Sequence, residues 1–161
     1  MKSIIQKLVC ATLLILLPYY GFAQLGYTQV TSMDVNGIFI GGTYNKTQVE
    51  TKWGVPTQYR SSMSEFGLDE VYVYSDNQFL FGDNGIFHSF YIRTSNFAVY
   101  TAFSGGVKVG DNISRIQAIG LGTPVLQKDG TYRLNRNDSD DSLVFKHSNG
   151  IIIQISFITS I

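Results

Sequence analysis

Cysteine is almost missing from this chain: its 161 residues hold one, Cys10. Cys10 lies inside the apolar run Leu8 to Leu17, with most of that run still to come, whereas a lipid-accepting cysteine follows its hydrophobic stretch. A lone cysteine excludes an intrachain disulfide, so stability has to come from packing. Histidine is nearly as scarce. His88 and His147 come without a third ligand motif and read as ordinary strand histidines, so no metal is expected. Charge of either sign is sparse, with 12 Lys+Arg against 12 Asp+Glu. That balance carries no electrostatic footprint for nucleic acid or anionic lipid. No Gly-x-Ser-x-Gly elbow occurs, and neither Gly41-Gly42 nor Gly105-Gly106 is followed by the Gly-Lys-Ser/Thr of a phosphate loop. The expectation is a chain without catalysis or cofactor.

What is present begins with a targeting pattern. Lys2 and Lys7 precede the apolar run, Pro18 breaks it, and Gly21-Phe22-Ala23 supplies small residues at a cleavage site. The run is shorter than the roughly 20 residues a spanning helix needs. Residues 1–23 therefore read as a secretory signal, with no membrane span after cleavage and a periplasmic or secreted destination. Removing Lys2 and Lys7 tips the charge balance slightly to the acidic side.

Of the three prolines, Pro56 and Pro124 remain beyond that segment, and they mark a repeat. Gly42 to Pro56 reads GTYNKTQVETKWGVP, and Gly110 to Pro124 reads GDNISRIQAIGLGTP. In the first copy Asn45 with Gln48 makes a capping-box pattern, Val49 and Trp53 share a helical face, and Gly54 then Pro56 stop the helix. In the second copy Asp111 or Asn112 caps, and Ile113, Ile116 and Ile119 form a short apolar face shifted by one residue. After each copy the period changes to two, and Asn84-Gly85, Asp129-Gly130 and Asn149-Gly150 signal hairpins. Residues 24–36 read as a lead-in, 37–101 as a first unit and 102–161 as a second.

Two inner strand sets follow from these hairpins. A four-residue loop at Gly82–Gly85 puts Phe79, Phe81, Phe90 and Ile92 inward, and Leu80, Phe87 and Tyr91 outward with Tyr72 and Tyr74. A three-residue loop at Ser148–Gly150 pairs Phe145 with Ile153 and puts Ile151, Ile153 and Ile155 inward. Val144, Lys146, Ile152 and Gln154 then face away.

The pattern of Gly, short helix, Gly-x-Pro and strand meander rests on Gly42, Val49, Gly54, Pro56, Gly110, Gly122 and Pro124. Phe97, Val99 and Thr101 with Gly105 to Gly110 carry the join. This resembles the tandem β-lactamase-inhibitor-protein-like (BLIP-like) arrangement of two BamE/SmpA-type units, of the secreted Bacteroidetes kind. The resemblance implies an α+β fold in which two helix-plus-four-stranded-antiparallel-meander units form one continuous sheet. Short helices would cover one face, leaving the other as a shallow concave surface for a protein partner.

The candidate anchors on that surface are Tyr59, Tyr72, Tyr74, Phe87, Tyr91 and Tyr132, with Arg60, Arg93, Arg133 and Lys146 as a polar rim. This reading requires at least four of the aromatics to be exposed on one face. Two other roles are carried beside it. One is an envelope-assembly or scaffold accessory of the BamE type. The other is a small-ligand or Ca²⁺-binding module using Asn137 to Asp141, whose oxygens alternate but lack the Gly and distal Glu of a calcium loop.

Overall fold

In a computed structural model, residues 33–64, 67–101, 104–119, 123–135 and 141–159 are described. Residues 1–23, expected to be a signal, most of the lead-in and Asn137 to Asp140 lie outside them. Strands dominate: β1 (Met33–Val35), β2 (Ile38–Phe39), β3 (Gln58–Ser64), β4 (Gly67–Tyr74), β5 (Asn77–Phe81), β6 (Phe87–Ile92), β7 (Ala98–Thr101) and β8 (Ser104–Lys108), then β9 (Val125–Leu126), β10 (Tyr132–Asn135), β11 (Ser142–Ser148) and β12 (Ile151–Ile158). They form two antiparallel sheets, one ordered β2-β1-β7-β8 and the other β3-β4-β5-β6-β12-β11-β10-β9. One α-helix, α1 (Lys46–Trp53), and one 3-10 helix (Ile113–Ile119) complete the described elements. Among the described residues no helix is long and apolar enough to cross a membrane.

This corrects the expected fold class. The chain is mostly β, with one α-helix and two sheets, and is not a tandem of helix-plus-meander units on one continuous sheet. Part of the difference lies in the second copy of the repeat. Ile113, Ile116 and Ile119 are spaced by three, which eclipses them in a 3-10 helix but spreads them around an α-helix. Ile116 and Ile119 are buried there. The other part is the small sheet. Asn36 and Gly37 both have positive φ, 45° and 83°, as a two-residue type I′ turn requires, and they fold β1 onto β2. β7 then pairs with β1 across a long stretch of chain, Val35 lying opposite Val99.

Helix α1 matches its sequence signals. Gln48 N–H donates to Asn45 Oδ1 at 3.0 Å, and Asn45 N–H donates to Gln48 Oε1 at 2.9 Å. Gly54, at φ 83°, closes the helix by donating to Glu50 O. The segment entering the helix is stitched to the Asn84-Gly85 hairpin: Tyr44 N–H donates to Gly85 O, and Thr43 bridges Ile86. Gly85 has φ 76°, and a Cβ there would lie 2.5 Å from Tyr44 O, so the close approach needs glycine. The second copy is attached similarly, with Ile113 N–H donating to Gly150 O.

Trp53 links α1 to the eight-stranded sheet. Its ring lies 4.4 Å from Phe79 and between 5.5 and 6.3 Å from Phe97, Phe87, Tyr74 and Phe81, centroid to centroid. Its Nε1–H donates to Val35 O in the small sheet at 3.1 Å. One core therefore joins α1, the 3-10 helix, the small sheet and one face of the large sheet.

Candidate functional site

The registers sort the large sheet into two faces. On the core side lie Tyr72, Phe79, Phe90, Ile155, Phe145 and Tyr132, in positions directly across from one another between neighbouring strands, except that Phe90 and Ile155 are offset. On the opposite side one row runs through all eight strands: Gln58, Val73, Gln78, Tyr91, Ser156, Val144, Arg133 and Val125. Val71 and Val144 are buried on this second side yet lie outside the core cluster, which confirms the division.

Expected registers fail at two bulges. At the tip of β11 and β12, Asn149 (φ 50°) and Gly150 (φ 78°) make a two-residue turn, so Ser148 pairs with Ile151. A bulge after Lys146 then restores parity, and Phe145 pairs with Ile155 rather than Ile153. Ile152 is consequently buried, while Ile151 and Ile153 are exposed. Between β5 and β6 a matching bulge at His88 turns Phe87 inward, where it stacks on Phe81 at 4.8 Å.

The aromatic anchors are therefore mostly misplaced, and the requirement that at least four of them be exposed on one face is not met. Tyr72, Tyr74 and Phe87 are buried in the core. Tyr72 lies opposite Phe79, so it is the valines of β4 that face outward. Alternation of valine and tyrosine leaves both faces apolar and does not say which is the core side. Burial pushes the Tyr74 phenol up to about 12 and raises that of Tyr72 further, Glu70 beside it adding to the effect. Both are held neutral, and Tyr74 O–H donates to Gly54 O at 2.9 Å. Tyr59 is exposed but lies on the core side, its ring 4.9 Å from Tyr72 and 4.5 Å beneath Lys46 Nζ. Tyr132 is half-buried on the same side, 5.5 Å from the His147 ring. Tyr91 alone of the six stands on the outward face, half-buried between Gln78 and Ser156.

The expected rim residues share a face, but only three of them are neighbours: Arg60 stands apart on edge strand β3, in the row of Val71, Leu80 and Ser89. Arg60, Arg93, Arg133 and Lys146 are all exposed and all on the outward face, each from a different strand or strand end. Arg93 Nε donates to Gln154 Oε1 at 3.3 Å, and Gln154 pairs with Lys146. This gives a short polar row, Arg93-Gln154-Lys146, across β6, β12 and β11. Arg133 lies diagonally beside Lys146, a spacing of about 7–8 Å between such positions. Small side chains such as Ser156 sit below these longer ones and are buried.

Among the described strand residues of this face one carboxylate appears, Asp69, and it is already engaged. His88 Nε2 lies 3.2 Å from Asp69 Oδ1, and His88 Nδ1 lies 3.1 Å from Ser89 Oγ. Ser89 Oγ is shared with Thr159 Oγ1, whose hydroxyl donates to His88 O. Asp69, Ser89 and Gln154 carry no motif in sequence. Only Gln154 is foreseen on this face, from its alternation with Ile155.

The arrangement can receive negative charge spread over an extended ligand, since its cations are separated by strand spacings; Asp129, exposed in the turn before β10, already interacts with Arg133, which leaves Arg93 and Lys146 as the stronger candidates. Comparison of this chain with family models, with curated proteins and with solved structures returns no match.

Proposed function

We propose that the chain is a non-catalytic, exported binding module that holds an acidic segment of a protein partner on the outward face of the large sheet. The observation that carries this reading is that Arg93, Lys146 and Arg133 neighbour one another on one exposed face, with Arg60 at the β3 edge of the same face, while Asp69 on that face is paired with His88. Hydrogen bonds to charged groups are worth about 1.5–3 kcal/mol each when well made, so two or three suffice to orient a partner. The near-zero net charge favours a local acidic match over a polyanion such as nucleic acid. The signal pattern in residues 1–23 and the resemblance of the repeated motif to secreted BLIP-like chains support a periplasmic or secreted setting. The Asp69-His88-Ser89 line is read as structural, because Ser89 is buried and its hydroxyl is shared with Thr159.

The test is capture of a partner from the cell's own envelope extract. Arg93→Glu with Lys146→Glu should lower affinity for the captured protein at least about tenfold, which is about 1.4 kcal/mol. Affinity of the unaltered chain should also fall as salt rises. Binding indifferent to both, or displaced by nucleic acid alone, would sink the reading.

A further inference from the structure

The two edges of the large sheet differ. At one end β9 has two residues, too short to template another strand. At the other end β3 has seven, Gln58 to Ser64, and pairs with β4 along its whole length. Among the described residues nothing pairs its outer edge. Long edges in monomers are ordinarily blunted by proline, bulges or several charges. β3 has no proline, no register shift against β4, and one charge, Arg60.

The edge also carries exposed apolar side chains in a particular spacing. Tyr59 is 38% exposed and Met63 78%, and both project to the core side of the sheet, two positions either side of Ser61. We propose that β3 joins a second copy of this chain, antiparallel and centred on Ser61, making one sheet that runs through both copies. In that register Ser61 faces Ser61 of the other copy, Tyr59 faces Met63, and Arg60 faces Ser62.

Three things favour this occupant over an unrelated strand. The pairing is self-complementary: each Tyr59 ring covers a Met63 side chain, a thioether–aromatic contact that is favourable. The two Arg60 residues are kept off each other, each lying opposite a Ser62 of the other copy. The chain carries little net charge to repel its copy, with or without residues 1–23. An isologous contact of this kind closes on itself as a two-fold dimer and does not propagate, because the far edge is only β9. The inference does not rest on the partner proposed above: that partner uses the outward face, with which the β3 pairing shares only Arg60.

Directly opposed residues across antiparallel strands have Cα atoms about 4.5–5.5 Å apart, within disulfide range. The experiment is made on the full chain with Cys10→Ser, so that an introduced cysteine is the only one. Ser61→Cys should form a disulfide-linked dimer under mild oxidation at least tenfold faster than Ser148→Cys, an exposed control on another strand. Sedimentation of the unaltered chain should show a dimer, and Met63→Lys should shift it to monomer with the circular dichroism unchanged. A monomer at all concentrations, or Ser61→Cys linking no faster than the control, overturns the proposal. So does a dimer indifferent to Met63→Lys, which would have to use another surface.

Discussion

Trp53→Ala should destabilise the fold by about 3–5 kcal/mol, the usual cost of truncating a large core aromatic. The substitution removes ring contacts to Phe79, Phe97, Phe87, Tyr74 and Phe81 together. It also leaves Val35 O without the indole N–H. Because Val35 belongs to the small sheet and Phe79 to the large one, the loss loosens the joint between them as well as the seat of α1. Trp53→Phe should keep most ring contacts and lose the hydrogen bond, costing about 1–2 kcal/mol. Urea unfolding followed by circular dichroism measures both, since the chain's one tryptophan is the residue being replaced. A domain of this size is ordinarily stable by about 5–15 kcal/mol, so the alanine variant should sit close to its unfolding midpoint without denaturant at the low end of that range. A cost below about 1 kcal/mol would mean that Trp53 is not the joint.

The second large effect is expected at Asn77, fully buried at the start of β5. Its amide donates to Tyr74 O at 2.9 Å and to Thr94 Oγ1 at 2.8 Å. Its carbonyl oxygen accepts from the backbone N–H of Arg93 at 2.8 Å and of Thr94 at 3.0 Å. One side chain thus satisfies the turn before β5 and the chain leaving β6. Asn77→Leu has similar size but can make none of these bonds, and each buried group left unsatisfied costs about 1–3 kcal/mol. The expected loss is about 3–5 kcal/mol by chemical denaturation. Hydrogen exchange should rise first at Arg93 and Thr94, where the backbone is released. Arg93 is also a cation of the proposed binding face, so a partial unfolding of this turn should weaken binding before it unfolds the chain. A neutral Asn77→Leu would show that the turn is held by other means.

Local punctuation was the most readable part of this sequence. Asn45, Gln48 and Gly54 specify where α1 starts and stops because capping is a short-range hydrogen-bond problem solved within one turn of chain. Asn84-Gly85 and Asn149-Gly150 mark hairpins for a similarly local reason. The parity of the strand residues next to those hairpins was not readable, because one bulge at His88 and one after Lys146 each flip the residues on the turn side, Phe87 in one hairpin and Ile151 and Ile152 in the other. Asn36-Gly37 carried a turn signal as clear as the others, but the small sheet it starts depends on β1 meeting β7, a pairing that no local pattern encodes. The site divides along the same line. Arg60, Arg93, Arg133 and Lys146 were legible as surface groups because long cations are seldom buried. Tyr72, Tyr74 and Phe87 were not legible as core, since the valines alternating with the tyrosines are equally apolar and the bulge hides Phe87.

The outward face of the large sheet as a docking surface for acidic groups is the central claim, and an NMR titration tests it most directly. The ¹⁵N-labelled chain is titrated with a short poly-glutamate peptide at low salt, and shifts are followed by residue. Arg93, Gln154, Lys146, Arg133 and Tyr91 should move together, and added salt should reverse the change. Shifts confined to α1 or the small sheet, or none at all, would contradict it.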